Sequence, residues 1–252
     1  MQCIFEFLGT GLITLLSYSY VISLKLTNEF DHSWKISVVL GLSTCIAIYI
    51  SIFISGAHLN PIITLLFFLF FNFNPKKVIP YITSQIFGSF FSSMLVYEWY
   101  YHLLIHFKKK KIIRGNLDSL ELTSIFSFFP NNKINIVQLF AIEIVVSCIF
   151  IFIILILNDS KRSFFVKMII SPILIGILVF IIDFCISPIT NFTLNPAHDI
   201  GSRIFIFLSE WEKITFTSGL NMIYFFVPIF GTIIGSIMSF YIYTYIKKLN
   251  FL

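Results

Sequence analysis

Residues 55–65 read SGAHLNPIITL, and residues 193–203 read TLNPAHDIGSR. Both segments contain Leu-Asn-Pro, first as Leu59-Asn60-Pro61 and later as Leu194-Asn195-Pro196. Asn is a preferred helix N-cap, and Pro is tolerated at the first helical position, where its missing N–H would have no intrahelical partner. Each tripeptide therefore predicts the start of a helix rather than an ordinary turn.

The apolar stretches that accompany these tripeptides, 62–71 and 200–208, are short. A helix needs about 20 mostly apolar residues to cross a bilayer, so neither stretch is long enough. Both are predicted to be re-entrant half-helices. A helix start at membrane depth is tolerated only where it lines a polar cavity, so the pair also predicts a pore.

The composition places the chain in a membrane. Of its 252 residues, 58% are apolar or aromatic and 12% are charged, and the mean hydropathy is +0.93. These values exclude a soluble globular enzyme and a disordered chain. The formal net charge of +5 comes from mostly scattered lysines and arginines, so the lipid bilayer is the expected partner and nucleic acid is not.

The predicted fold class is an all-α membrane protein built as an inverted repeat. Each half contains three spans and opens with an intramembrane acid, Glu6 or Glu143, and an odd number of spans turns the second half upside down. The predicted spans are residues 3–24, 36–54, 78–100, 136–157, 168–188 and 222–246.

Together with the two Asn-Pro segments, these features resemble the aquaporin superfamily, the major intrinsic proteins. The resemblance is strongest to the bacterial glycerol facilitator (aquaglyceroporin) branch. It covers nearly the whole chain and also rests on the following segments: EFLGTGL (6–12), VIPYITSQIFG (78–88), LVYEWYY (95–101), IIRGNLDS (112–119), INIVQLFAIE (134–143), PILIGIL (172–178) and VPIFGTIIG (227–235).

The resemblance implies one channel domain, 1–252, with repeat halves of about 1–110 and 130–252. It implies six tilted helices and two half-helices around a pore in each subunit of a homotetramer, with both termini cytoplasmic in the bacterial inner membrane. It also implies passive conduction without a cofactor, a metal or catalysis.

The pore residues follow from the two signatures. The first contributes Asn60, Pro61 and Ile62, and the second contributes Asn195, Pro196 and Ala197. The asparagine amides are expected to donate hydrogen bonds into the lumen, and the two N-terminal helix ends to repel cations there. The stretches before them are expected to line one wall with carbonyl acceptors, namely Gly56, Ala57 and His58, and Asn191, Phe192 and Thr193.

Three buried acids have expected roles. The resemblance suggests that Glu6 and Glu143 anchor the re-entrant loops by accepting backbone hydrogen bonds; a proton relay is the alternative. Asp199 is the acidic residue that in this family marks glycerol conductors.

The selectivity filter departs from the family pattern. Glycerol facilitators normally carry Trp, Gly, Phe and Arg, and the matching positions here are Leu40, Asp183, Phe192 and His198, so only Phe192 is retained. Ile62, which replaces the Ala of the first signature, is expected to add bulk just inside Asn60. Arg is a fixed cation with forked donors, whereas His is mostly neutral near pH 7.

These departures leave three interpretations open. Asp183 and His198 could pair across the filter and admit an altered set of uncharged solutes. Selectivity could have decayed while glycerol-sized molecules still pass. The pore could also be blocked, or leaky to cations.

The expected function is a channel for glycerol and similar small uncharged solutes, with water as a further candidate. The alternatives are a water, urea or ammonia channel with little polyol preference, and an ion-coupled secondary transporter. No Ser-His-Asp set, metal cluster or phosphate loop stands at workable spacing, so an enzyme is not expected.

Overall fold

The computed structural model describes residues 1–27, 34–107, 120–127, 133–190, 194–211, 214–217 and 224–249. Within these ranges the secondary structure is helical. The helices are α1 (Gln2–Thr27), α2 (Trp34–Ser55), α3 (Pro61–Phe70), α4 (Pro75–Phe107), α5 (Leu120–Phe126), α6 (Ile136–Leu157), α7 (Ser171–Thr190), α8 (Pro196–Ile206), α9 (Ile214–Thr217) and α10 (Phe226–Lys248). Wide π-helical turns at Val166–Ile170 and Phe207–Trp211 precede α7 and follow α8.

The all-α membrane fold is confirmed. Five of the described helices are long and apolar enough to cross a membrane: α1, α2, α6, α10, and α7 with the turn before it. The sixth predicted span lies inside α4, which has 33 residues but is more polar. The helices α3 and α8 have 10 and 11 residues, about 15 Å each at 1.5 Å per residue, which is half of a bilayer core.

The same pair of helices packs together within each half, and a further pair joins the two halves. Helix α1 packs mainly against α4, α6 packs against α10, and α2 packs against α7 across the boundary between the halves. At that boundary a Cβ on Gly41 would lie 2.5 Å from the Gly176 carbonyl oxygen, and a Cβ on Gly176 would lie 2.7 Å from the Gly41 carbonyl oxygen. The two helices therefore touch through reciprocal backbone contacts that only glycine permits.

The outer surface carries large apolar side chains, the reverse of a soluble protein. Many of these side chains on the long helices are at least a third exposed, and some of them are Leu42, Ile46, Ile50 and Phe53 on α2, Val145 and Ile149 on α6, and Ile177, Ile181 and Phe184 on α7. Buried serines, threonines and charged residues lie inside the bundle instead. This distribution fits a bundle that is surrounded by lipid and encloses a polar interior.

A carboxylate outside the spans ties the α6–α7 connection to the end of α10. Asp159 Oδ2 lies 2.5 Å from Lys247 Nζ and accepts a hydrogen bond from the Tyr243 hydroxyl. The hydrogen bond from the Lys247 ammonium, helped by that of Tyr243, lowers the pKa of Asp159. Because the pKa is lowered on folding, this contact stabilises the fold at neutral pH and is lost as the pH falls through that lowered value.

The reciprocal glycine contact predicts that Gly41→Ala destabilises the bundle. The added methyl would meet the Gly176 carbonyl oxygen at 2.5 Å and Phe180 Cβ at 2.9 Å, and overpacking of this kind costs about 1–3 kcal/mol. We expect a lower thermal unfolding midpoint in detergent. Leu42→Ala, at the neighbouring lipid-facing position, is the matched control, and equal midpoints for the two variants would contradict the packing described here.

Candidate functional site

The two half-helices are joined where their first residues meet. Asn60 Nδ2 donates to the Leu194 carbonyl oxygen at 2.8 Å, and Asn195 Nδ2 donates to the Leu59 carbonyl oxygen at 2.6 Å. Each helix start therefore satisfies a backbone acceptor of the other half. An amide nitrogen carries two hydrogens, so the second hydrogen of each Asn remains for the lumen that both residues line.

The same side chains cap their own helices. Asn60 Oδ1 accepts from the Ile62 N–H at 2.9 Å, and Asn195 Oδ1 accepts from the Ala197 N–H at 3.1 Å. Pro61 and Pro196 occupy the first helical positions, as the two tripeptides predicted. Each Asn thus fixes its helix start with its oxygen and reaches the other half with its nitrogen.

Glu6 holds the loop before α3. This fully buried carboxylate accepts hydrogen bonds from the His58 N–H at 3.0 Å, the Leu59 N–H at 2.6 Å and Gln85 Nε2 at 2.7 Å. The loop has left-handed φ angles of 86° at Gly56, 51° at Ala57 and 49° at Leu59. These angles prevent helical hydrogen bonding, so the acid supplies the partners that the loop N–H groups lack.

The second half has a corresponding predicted loop before α8. Asn191, Phe192 and Thr193 lie outside the described residues. Glu143 is fully buried on α6, where its Cβ would be 2.6 Å from a Cβ on Gly231. Anchoring of the second loop by Glu143 stays a prediction.

A cavity runs past the Asn pair. One part of its wall is the loop before α3, with Gly56, Ala57 and His58. The remaining wall is mostly apolar and includes Ile13, Ile48, Ile52, Phe150, Ile154 and Val179. The cavity wall therefore combines the loop before α3 and several polar side chains with a mostly apolar surface.

The side chains of two predicted pore residues pack against the protein. The His58 ring packs among Phe67, Phe73 and Tyr81, and its Nδ1 lies 3.2 Å from Thr64 Oγ1. The Ile62 side chain is buried in the hydrophobic core and borders a small separate pocket against α10. Ile62 was expected to add bulk to the bore, but its side chain packs in the core instead.

A second cavity adjoins the first, and the two cavities share three lining residues: Leu40, Asp183 and His198. These are the described members of the predicted filter. We refer to them as the outer constriction. They come from α2, α7 and α8, so three elements that are distant in sequence meet at the junction of the two cavities.

Each polar residue of the outer constriction is held by a neighbour that no motif singled out. Asp183 Oδ2 accepts from the Ser37 hydroxyl at 2.6 Å. The His198 ring stacks on the Tyr18 ring, with centroids 4.8 Å apart and an interplanar angle of 23°. Pairing between Asp183 and His198 stays a prediction, and the partner that the structure gives to Asp183 is Ser37.

Asp199 forms a buried ion pair within α8. Its Oδ2 accepts from Arg203 Nε at 2.7 Å, and Arg203 also donates to the Thr215 carbonyl oxygen. Both side chains are almost fully buried, so each charge is compensated locally. The acid is thereby used to fix α8 against the segment that follows it.

Sequence reasoning missed four residues of this site: Tyr18, Ser37, Gln85 and Arg203. Gln85 and Arg203 had a detectable signal, because each is a strongly polar residue among apolar neighbours, and Arg203 stands four residues after Asp199. The sequence contains no such signal for Tyr18 and Ser37. Their contacts with His198 and Asp183 depend on how α1 and α2 are rotated in the bundle.

Comparisons with known proteins agree with this geometry. The sequence profile of the family "Major intrinsic protein" matches residues 1–243. The chain is 42% identical over 243 residues to the glycerol uptake facilitator protein of Escherichia coli K12, which covers 96% of this chain and 86% of that protein. It is 46% identical over 251 residues to the glycerol uptake facilitator protein of Buchnera aphidicola subsp. Schizaphis graminum, with 98% and 96% covered.

The fold also matches a solved structure. The X-ray structure of the aquaglyceroporin from Plasmodium falciparum superposes with a TM-score of 0.80 at 23% sequence identity, covering 98% of this chain and 97% of that chain. At this level of identity the similarity establishes the aquaporin-like fold.

The contacts of Glu6 predict that Glu6→Gln loosens the loop before α3. The new amide nitrogen would face at least one of the three N–H groups that now donate to the carboxylate, and a hydrogen bond to a charged group is worth about 1.5–3 kcal/mol. We expect a lower unfolding midpoint in detergent and faster proteolysis near residue 57. Glu98→Gln, an exposed position on α4, is the matched control; the same midpoint in both variants would refute the anchoring role.

Proposed function

The chain belongs to the major intrinsic protein family, and we propose that it is a channel for the passive diffusion of glycerol and other small uncharged solutes across the bacterial inner membrane. The observation that carries the proposal is the cross-bonded Asn pair, which lines a cavity whose wall is mostly apolar and includes the loop before α3. The family assignment also agrees with a multi-pass membrane protein that is not an enzyme.

The wall chemistry suits a polyol. A solute that leaves water loses hydrogen bonds, and it regains them from the free amide hydrogens of Asn60 and Asn195 and from the carbonyls of Gly56, Ala57 and His58. The carbon side of the molecule can slide along the isoleucine, phenylalanine and valine wall. In this proposal Asn191, Phe192 and Thr193 supply the equivalent carbonyls in the second half.

Cation exclusion follows from the two helix starts. The first turns of α3 and α8 meet at the Asn pair, and each N-terminus contributes about half a positive charge. Ions would also lose their hydration in a cavity with a largely apolar wall. Glu6 and Glu143 serve as loop anchors in this proposal, since Glu6 accepts three hydrogen bonds from protein N–H groups and does not line the cavity.

The filter in this proposal consists of Leu40, Asp183, Phe192 and His198. Asp199 positions the neighbouring His198 because its ion pair with Arg203 fixes α8. The proposed unit is one channel domain of two halves, about 1–110 and 130–252, which assembles as a homotetramer in the bilayer. The lipid-facing apolar surfaces of α2 and α7 leave room for such contacts between subunits.

The altered outer constriction supports a second candidate function. A carboxylate and an imidazole occupy places where the family pattern has glycine and arginine, so a channel for water, urea or ammonia with little polyol preference also fits. Relative permeabilities separate the two candidates.

The main proposal is tested with purified protein in liposomes, by light scattering after a glycerol gradient. We expect faster re-swelling than in empty vesicles, with a flux linear in concentration and weakly dependent on temperature. Re-swelling at the rate of empty vesicles would overturn the proposal, and saturable uptake that depends on an ion gradient would indicate a secondary transporter.

Matched variants on α7 link this flux to the cavity. Val179 lines the cavity, whereas Ile177 faces outward with 48% of its surface exposed. We expect Val179→Trp to fill the lumen and abolish glycerol flux, and Ile177→Trp to preserve it. Equal flux through the two variants would place the conduction path elsewhere.

Restoring the family pattern at the outer constriction should sharpen selectivity. We expect the double variant Asp183→Gly and His198→Arg to raise the glycerol-to-urea permeability ratio by about tenfold, because charged donors to hydroxyl oxygens are worth about 1.5–3 kcal/mol. The same variant should reduce any leak of potassium. If neither quantity changes, these two residues do not determine selectivity.

A further inference from the structure

Tyr18 lies at the outer constriction without belonging to any motif. It comes from α1 and lines the second cavity together with Leu40, Asp183 and His198. Only 3% of its surface is exposed to solvent, so its ring is enclosed by the bundle except where it meets the cavity. A bulky aromatic ring therefore forms part of the wall at this place.

The hydroxyl end of Tyr18 is fixed by the protein. Its oxygen lies 3.2 Å from the Phe126 carbonyl oxygen and 3.0 Å from Ser202 Oγ. Its ring also contacts the Phe126 ring edge-on, with centroids 5.6 Å apart. With one end held in this way, the ring has little freedom to swing out of the passage.

The ring end of Tyr18 controls the position of His198. The two rings stack at 4.8 Å, so one face of the imidazole is covered by an immobile aromatic surface. The backbone carbonyl of His198 accepts from Ser202 Oγ and from Ser89 Oγ, both at 2.8 Å. Since Ser202 also contacts the Tyr18 hydroxyl, one small network fixes both the backbone and the ring of His198.

We propose that Tyr18 is a specificity-determining residue of the outer constriction, which limits the width of the passage with its ring and holds the His198 imidazole in place. The inference rests on the proposed function, because it concerns which uncharged solutes pass the same channel. The substrate class it implies is unbranched small polyols. A branched molecule of similar polarity needs more width than the Tyr18–His198 stack leaves.

The experiment compares permeabilities to glycerol and to the branched triol trimethylolmethane in liposomes that contain equal amounts of folded protein. In Tyr18→Leu the ring is lost and the imidazole is uncovered, so we expect the trimethylolmethane-to-glycerol ratio to rise on the order of tenfold. In Tyr18→Phe the ring remains but its hydroxyl contacts are lost, so we expect a ratio between those of the natural protein and Tyr18→Leu. A ratio, unlike total flux, does not change when a variant is merely less stable.

Tyr20→Leu is the matched control, since Tyr20 lies on the same helix and the two cavities are lined without it. Tyr18→Trp gives a second, opposite test, because a larger ring should lower the ratio below that of the natural protein. If Tyr18→Leu does not fold, the Trp variant decides alone: a lower ratio supports the inference and an unchanged one overturns it.

The two proposals fail in different ways. If the natural protein conducts no glycerol, the proposed function fails. If the natural protein conducts glycerol, and both Tyr18→Leu and Tyr18→Trp keep the ratio of the Tyr20→Leu control, the inference about Tyr18 fails while the proposed function stands.

Discussion

The arrangement depends on two hydrogen bonds between the halves, from Asn60 to the Leu194 carbonyl and from Asn195 to the Leu59 carbonyl. A backbone group without a partner in the membrane interior costs several kcal/mol. The broken backbone before each half-helix exposes such groups, and neither half can satisfy them alone. Each Asn amide donates one hydrogen bond to the exposed carbonyl of the other half. Its second hydrogen remains for a passing solute.

Buried charge in this bundle follows the same rule of local compensation. Glu6 receives three N–H donors, and Asp199 is paired with Arg203, which also reaches a backbone carbonyl. Burying an acid in the membrane costs free energy unless it has hydrogen-bond donors or a cation as partners. Glu6 and Asp199 therefore fix the segments that supply these partners. The charges of Glu6, Asp199 and Arg203 thus stabilise the two re-entrant segments, whereas Asp183 and Lys167 line the cavity itself.

The sequence was sufficient to predict the elements that local chemistry determines. Asn followed by Pro specifies a helix start in any context, and α3 and α8 begin at Pro61 and Pro196 as predicted. The aquaporin-like fold and the family are also confirmed. The sixth span was harder to delimit, because α4 extends from Pro75 to Phe107 and is more polar than the others.

What could not be predicted depends on how helices are rotated against one another. Ser37 and Tyr18 resemble ordinary helix residues in the sequence, yet they hold Asp183 and His198. Ile62 was expected at the bore because it follows Asn60, but a helical turn directs its side chain into the core. Filter residue Phe192 lies outside the described residues, so its place in the filter stays a prediction.

The exchange of hydrogen bonds between the halves has a consequence for how the channel is made. Helix α3 is synthesised long before residue 194, and until then the Asn60 amide lacks the acceptor it has in the folded protein. The Leu59 carbonyl likewise lacks its donor from the second half until Asn195 has been synthesised. The first half must therefore reach the membrane with its pore segment unfinished, and the lumen takes its final form only when the last third of the chain has been translated.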